Sequence, residues 1–286
     1  MSNLKAIFLN AINDIPQQRW NSLVGEEYPF LRYEFLWALE ESGCATAESG
    51  WTPNHLTINN AAGQLVAIAP AYLKEHSYGE YVFDWSWADA YQRNQIPYYP
   101  KLLTAIPFTP SVGPRLLIDP AYDTAEIWGF YVQTMINFCI EQRLSSWHLL
   151  FPDKQTAEKL DQQTAALNLL KRTGAQFHWY NDGYQSFADY LSHMKARKRN
   201  SIRKERAHVA AQGITFAHRS GREISPTQLN DFYTFYHATY MKRGQYGYLN
   251  RRFFELLVET MPDQLLFVLA EKEGDTVAAA LFFTSA

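Results

Sequence analysis

The sequence has only two cysteines in 286 residues, Cys44 and Cys139. Two cannot build a disulfide framework or a cysteine-rich zinc site. The eight histidines (55, 76, 148, 178, 193, 208, 218 and 237) never fall within five residues of one another, so no local metal-ligand pair exists. Neither cysteine has a nearby histidine to activate it, and no Gly-x-Ser-x-Gly elbow occurs. Long apolar runs are also missing. The longest, Val277 to Phe283, is seven residues, against roughly 18 for a membrane-crossing helix. The N-terminal segment Met1 to Asn10 has no long apolar stretch and meets Asp14 and Pro16 early, unlike a signal peptide. The expectation is a cytoplasmic protein without a metal.

Apolar residues, by contrast, make up 47% of the chain and charged ones 19%, which supplies a core and excludes disorder for most of it. The length is about twice that of a common domain, so two domains are expected. Aromatics are abundant: 18 Tyr, 18 Phe and 8 Trp. Charge is segregated. Lys195 to Arg206 carries seven basic residues and one acid, in a chain whose net charge is −3.

Periodicity and turn signals order the elements. Leu4–Leu9 is a strand; Ile15–Val24 and Tyr33–Ser42 are helices, the latter ending at Gly43. Asn54–Asn59 and Gln64–Leu73 are strands about a turn. Tyr81 to Trp87 alternates strictly, which predicts a strand with Tyr81, Phe83, Trp85 and Trp87 on one face. Residues 88–113, rich in Tyr and Pro, read as irregular. Then come a strand at Arg115–Ile118, a helix capped by Asp123, a strand at Trp147–Phe151, a helix at Thr156–Lys171 and a strand at Ala175–Tyr180. Asn181-Asp-Gly183 is the strongest turn signal and sets the domain boundary, giving domains 1–180 and 181–286. Beyond it, one long helix from Ser186 to about Ala211 precedes a strand at Ile214–His218. Two further helices, capped by Ser225 (with Pro226 and Gln228) and by Asn250, lead to strands Leu265–Ala270 and Thr276–Phe283. Residues 4–73 and 214–284 therefore share the order β-α-α-β-β. The second copy stops after its third strand and is expected to be incomplete.

That element order is the order of the GNAT acyltransferases. Longer motifs carry a closer resemblance: Phe83-Asp-Trp-Ser-Trp-Ala-Asp-Ala-Tyr91, Tyr98-Tyr-Pro-Lys-Leu-Leu103, Pro107 to Leu117, Lys198 to Arg206, and Tyr240-Met-Lys-Arg-Gly-Gln-Tyr-Gly-Tyr-Leu249. In these, nearly the whole chain resembles the FemAB-like predicted N-acyltransferases, often labelled peptidoglycan biosynthesis proteins. The resemblance implies an α+β fold of tandem GNAT-like domains with mixed, mostly antiparallel sheets. It also implies transfer of an acyl or aminoacyl group to an amine, with cell-envelope biosynthesis as the setting.

Such transfer needs a base, donors for the oxyanion, an acid for the leaving atom and a cradle for the carrier. The Arg/Gln-x-x-Gly-x-Gly/Ala cradle of ordinary GNAT enzymes is not found. Ile118 to Asp123 has no glycine, Arg243-Gly-Gln-Tyr-Gly247 has the wrong spacing, and the second copy's loop would fall beyond Ala286. The carrier thus stays open between acyl-CoA and aminoacyl-tRNA. For the chemistry, Asp89 is the candidate base and Tyr98 the candidate acid. Asp84, Trp85, Trp87, Tyr91, Tyr99 and Lys101 are the candidate substrate wall, since a carboxylate beside indole rings can have a raised pKa. Core packing is the competing reading of these rings. On the helix after residue 187, Lys195, Arg199, Arg203 and Arg206 fall at about 0, 40, 80 and 20° of turn and form one basic stripe suited to carrier phosphates. Lys242 and Arg243 add a smaller patch. The alternative function is a non-catalytic module that binds nucleic acid or another anionic partner through helix 195–206.

Overall fold

The first strand, β1 (Lys5–Leu9), runs through a short 3-10 turn to α1 (Gln17–Val24), with Pro16 just ahead of the helix where its missing N–H costs nothing. Next in the chain is α2 (Tyr33–Glu41). The computed structural model describes residues 4–122, 124–167 and 169–285. β2 (Trp51–Pro53) and β3 (His55–Asn59) are one run of chain broken only at Asn54; β4 (Leu65–Ala69) and β5 (Tyr72–Lys74) are another, broken at Pro70-Ala71. The Asn54 N–H donates to the Ala71 carbonyl at 2.8 Å across the break. The breaks divide these strands between two sheets. α3 (Trp85–Arg93), β6 (Lys101–Thr104), β7 (Leu117–Ile118), α4 (Ala125–Glu141), β8 (Trp147–Leu149) and α5 (Lys154–Leu167) complete the first unit. One sheet has the order β1-β3-β4-β7, antiparallel throughout; the other is β2-β5-β6-β8, in which only β6 and β8 run parallel.

The second unit holds α6 (Phe187–Ser192), α7 (Ala196–Ala211), β9 (Thr215–Ser220), α8 (Pro226–Met241), α9 (Arg251–Thr260), β10 (Leu265–Lys272) and β11 (Asp275–Phe283). Its antiparallel sheet β9-β10-β11 repeats the pairing of β1-β3-β4, with two helices between the first and second strands in each case. α8 begins with the expected capping box of Ser225 and Gln228, and the Asn250 side chain caps α9 at the Phe253 N–H. The fold is α+β with mixed, mostly antiparallel sheets, as the motifs implied.

One hydrophobic core joins Trp20, Leu36, Trp51 and Tyr72 to Phe253, Leu257 and Phe267, and so runs through both units. Burying each such ring contributes on the order of 2–3 kcal/mol. Phe35 of α2 meets Phe253 of α9 edge-on at 5.6 Å, and Asn250 Nδ2 donates to the Ser42 carbonyl at 2.6 Å. A second cluster lies under α4, where Ile127, Tyr131 and Met135 cover Leu56, Ile58 and Val66.

Four local expectations are corrected. Tyr81–Trp87 is not a strand: the chain turns at 81–84 and enters α3 at Trp85. Alternation failed there because Asp84 is drawn into the interior by Lys101, while Ala88, Ala90 and the Asp89–Arg93 pair favour a helix beyond it. The stretch 88–113 is therefore not irregular throughout, since it contains the end of α3 and all of β6. Residues 175–180 form no strand; Phe177 and Trp179 are exposed, and an apolar extended segment without a neighbouring edge has no ladder to join. The helix from 186 to 211 is two helices broken at His193–Lys195, with Leu191 buried before the break and Lys195 extended. Asp123, the expected cap of α4, lies outside the described residues; the Thr124 side chain accepts from the Ile127 N–H there.

Candidate active site

The register of β5 against β6 places Lys74 directly opposite Lys101, and both side chains are fully buried. Two ammonium groups facing each other out of water are unfavourable unless anions join them. The loop from Glu75 to Asp84 brings those anions back over the strand pair. Lys101 Nζ donates to Glu80 Oε2 at 2.9 Å, Asp84 Oδ2 at 2.8 Å and Ser77 Oγ at 3.2 Å, which uses all three of its protons. Tyr98 Oη donates to the same Asp84 oxygen at 2.6 Å, and the hydroxyls of Ser77 and Tyr99 lie 2.6 Å apart. Lys74 forms no ion pair among the described residues. Its Nζ lies 3.8 Å from the centroid of the Trp51 ring and 3.4 Å from the Tyr78 carbonyl oxygen.

The protonation states are consequences of this geometry. Burial works against the charge on Asp84, but hydrogen bonds from Lys101, Ser77 and Tyr98 outweigh it and hold the carboxyl at about 2. Burial raises Glu80 against the pull of Lys101. Lys74, with no carboxylate of its own, is lowered by burial to about 7 despite Glu80. Burial and then the Asp84 carboxylate raise the Tyr98 phenol, so it stays a donor. Burial and then Lys101 lower the adjacent His148 to about 4. One oxygen of each carboxylate, Glu80 Oε1 and Asp84 Oδ1, is buried without a hydrogen-bond partner.

Above this cluster lies an aromatic surface. α3 buries none of its residues fully. Tyr78 packs on Trp85 at 4.8 Å, and Phe83, Trp85 and Trp87 are exposed. A cavity of about 380 Å³ is lined by Ser86, Trp87, Ala90, Tyr91, Asn94 and Ile96. Tyr91 links that cavity to the cluster, its ring lying 5.0 Å from the ring of Tyr98.

The structure thus gathers Asp84, Tyr98, Tyr99 and Lys101 below and Trp85, Trp87 and Tyr91 above. It does not bring Asp89 among them. Asp89 is exposed, off the cavity wall, and pairs with Arg93 at 2.7 Å. Lys74, Ser77 and Glu80 were missed. A lysine closing the apolar run Leu65–Leu73 was the available signal, yet nothing in linear order shows that it faces Lys101.

The basic candidates lie elsewhere; Arg199 is half-buried and the others are exposed. Lys195 stands before α7 rather than in it, and Arg203 is exposed. Arg199 Nη1 donates to the carbonyls of Ser192 (3.3 Å) and Met194 (3.1 Å), so it also fastens the α6–α7 break. The Arg206 guanidinium lies 4.3 Å from the Phe187 ring centroid. Lys242 and Arg243 are exposed just past α8. Among the described residues no group of three or more His, Cys, Asp or Glu could hold a metal ion, and no helix is long and apolar enough to cross a membrane.

Comparison with known proteins now decides the family, because residues 11–286 match the FemAB-like family, described as peptidoglycan biosynthesis/recognition. The chain belongs to the FemAB-like family. Its motifs in 83–117 and 198–249 had pointed there. This FemAB-like chain has no match among curated proteins. Among solved structures it is similar to an aminoglycoside antibiotic 6'-N-acetyltransferase from Acinetobacter baumannii, with TM-score 0.38 and 12% identity over 63% of this chain and 100% of that one. It is also similar to a possible acetyltransferase from Clostridium difficile 630, with TM-score 0.36 and 10% identity over 62% of this chain and 97% of that one. Likeness of that degree bears on neither substrate nor mechanism.

Proposed function

We propose that this FemAB-like protein is an N-acyltransferase that moves an acyl or aminoacyl group from an activated carrier, acyl-CoA or aminoacyl-tRNA, to an amine acceptor of the cell envelope. The observation that carries the reading is the buried Lys101–Asp84–Tyr98 group directly beneath the aromatic surface of α3. Trp85, Trp87 and Tyr91 form the wall for the acceptor. Tyr98, kept protonated by burial and Asp84, supplies the proton for the leaving atom and regains one, through water, from the amine that forms the new amide bond. Asp89, with Arg93 at the rim, is an acceptor contact rather than the base. Arg199, Arg203, Arg206 and Lys195, with Lys242 and Arg243, hold the carrier's phosphates. In this reading residues 181–286 are a second GNAT-like unit that shares the strand pairing of the one in 1–180.

Incubating the protein with each carrier and a panel of amines, read by mass spectrometry, tests the proposal. Transfer from one carrier is expected, with Tyr98→Phe lowering kcat and Arg203→Glu raising KM for the carrier. No transfer from either carrier would sink it. The second reading, a binding module, is favoured by one observation: no cation of α7 forms an ion pair among the described residues, and most of them are exposed. Sequence-blind polynucleotide binding that collapses with salt, without transfer, would select it.

A further inference from the structure

The loop from Glu75 to Asp84 covers its two lysines unequally. Lys101 takes both carboxylates and Ser77, while Lys74, equally buried on the opposite strand, receives neither carboxylate as an ion-pair partner. Yet Glu80 Oε1 and Asp84 Oδ1 are buried with nothing to accept. A closed core clamp satisfies its polar atoms, and this one leaves an ammonium and two carboxylate oxygens short. The backbone is also held unusually. Gly79, Tyr81 and Phe83 all have positive φ (80°, 60° and 50°), a conformation that non-glycine residues keep only where their surroundings impose it. For Tyr81 the surroundings belong to the second unit: its ring meets Tyr248 at 6.4 Å and its hydroxyl faces that of Tyr240. Tyr248 in turn stacks on Phe108 at 5.0 Å, and Phe108 fills the space where a side chain at Gly79 would lie. Phe83, by contrast, projects into solvent.

We propose that residues 75–84 are a lid over an anion site formed by the ammonium groups of Lys74 and Lys101, which the chain's own Glu80 and Asp84 fill in this structure. The external ligand is a phosphoryl group carrying at least two negative charges, a phosphate monoester or a pyrophosphate. Charge selects it: two carboxylate charges now face the two lysines, and a single anion of at least that charge replaces both. The hydroxyls of Ser77, Tyr98 and Tyr99 line the same place and are further donors. Tyr81, latched to Tyr240 and Tyr248, keeps the lid shut, so the second unit governs access to a site in the first. The inference concerns binding alone and stands whether or not the chain transfers an acyl group.

The test is calorimetric titration of the full chain with inorganic pyrophosphate and, separately, coenzyme A, in an Arg199→Glu/Arg203→Glu background that silences α7. Tyr81→Phe removes only the latching hydroxyl, and Glu80→Gln removes one internal competitor. Each is expected to tighten pyrophosphate binding about ten-fold by raising the open fraction. Lys101→Met is expected to abolish it. Hydrogen exchange over 75–84 should quicken in Tyr81→Phe. Tighter binding of coenzyme A than of pyrophosphate identifies a phosphoryl group on a larger molecule, and equal binding identifies the free anion. Equal affinities in the parent and Tyr81→Phe, no binding in any variant, or binding that survives Lys101→Met would each overturn the proposal. Should Lys101→Met fail to fold, Tyr81→Phe, which keeps its ring, still decides.

Discussion

Lys101 and Arg203 carry the same charge in opposite circumstances. Lys101 is fully buried, with every proton assigned to a named oxygen; Arg203 stands on an exposed helix face among other cations. Desolvation makes the first part of the fold. Solvation leaves the second free to meet an external anion. A cluster of charge in a sequence does not say which of these it is, and the difference lies in whether water can reach the group.

The comparison is broken most forcefully by neutralising one member of each kind. Lys101→Met leaves Glu80 and Asp84 buried without their cation and should cost about 3–5 kcal/mol by urea denaturation. Arg203→Glu should stay within about 0.5 kcal/mol of the parent. Equal losses would mean that α7 is also structural. Tyr98→Phe deletes a hydrogen bond to an ionised, buried acceptor and should cost about 1.5–3 kcal/mol. Arg199→Glu, which loses two carbonyl contacts at the α6–α7 break, should cost about 1 kcal/mol. Asp89→Asn, in an exposed pair, should change stability by less than about 0.5 kcal/mol.

Titration sharpens the same contrast. The Lys74 pKa of about 7 lies below the unfolded value of ~10.4, so the folded state binds fewer protons between them. Stability therefore rises with pH across that interval and is level below it. Lys74→Met, measured by denaturation at pH 6.5 and 9.5, should remove that rise. Asp84 gives a slope of the same sign in a more acidic interval, because its folded pKa is lowered too. Its carboxyl, held at about 2, stabilises the fold above the unfolded value of ~3.9, and that contribution is lost as pH falls through about 2.

A second contrast concerns the sheets. β1-β3-β4 and β9-β10-β11 share one pairing, but α4 covers Leu56, Ile58 and Val66 on the first, while Phe216 and Phe282 on the second are exposed. The charged cluster is built almost entirely from residues 74–104, which lie beyond the third strand of that pairing in the first unit. Shared strand order supplies the frame, and the added loop and strand supply the site.

The helix starts at Ser225 and Asn250 and the β-α-α-β-β order of both units were legible in the sequence. Caps and apolar periodicity are local, and each acts within a few residues of itself. So was the family, because several motifs each span many consecutive residues. The site was legible only in part. Asp84, Tyr98, Tyr99 and Lys101 could be picked out, but their partners Lys74 and Glu80 could not. The pairing of β5 with β6 decides that two lysines face each other, and the return of the 75–84 loop decides which carboxylates neutralise them. The same step turned an alternating aromatic run into a turn and a helix. A buried ammonium draws Asp84 inward more strongly than the preference of alternating residues for a strand can resist, and that ammonium belongs to another strand.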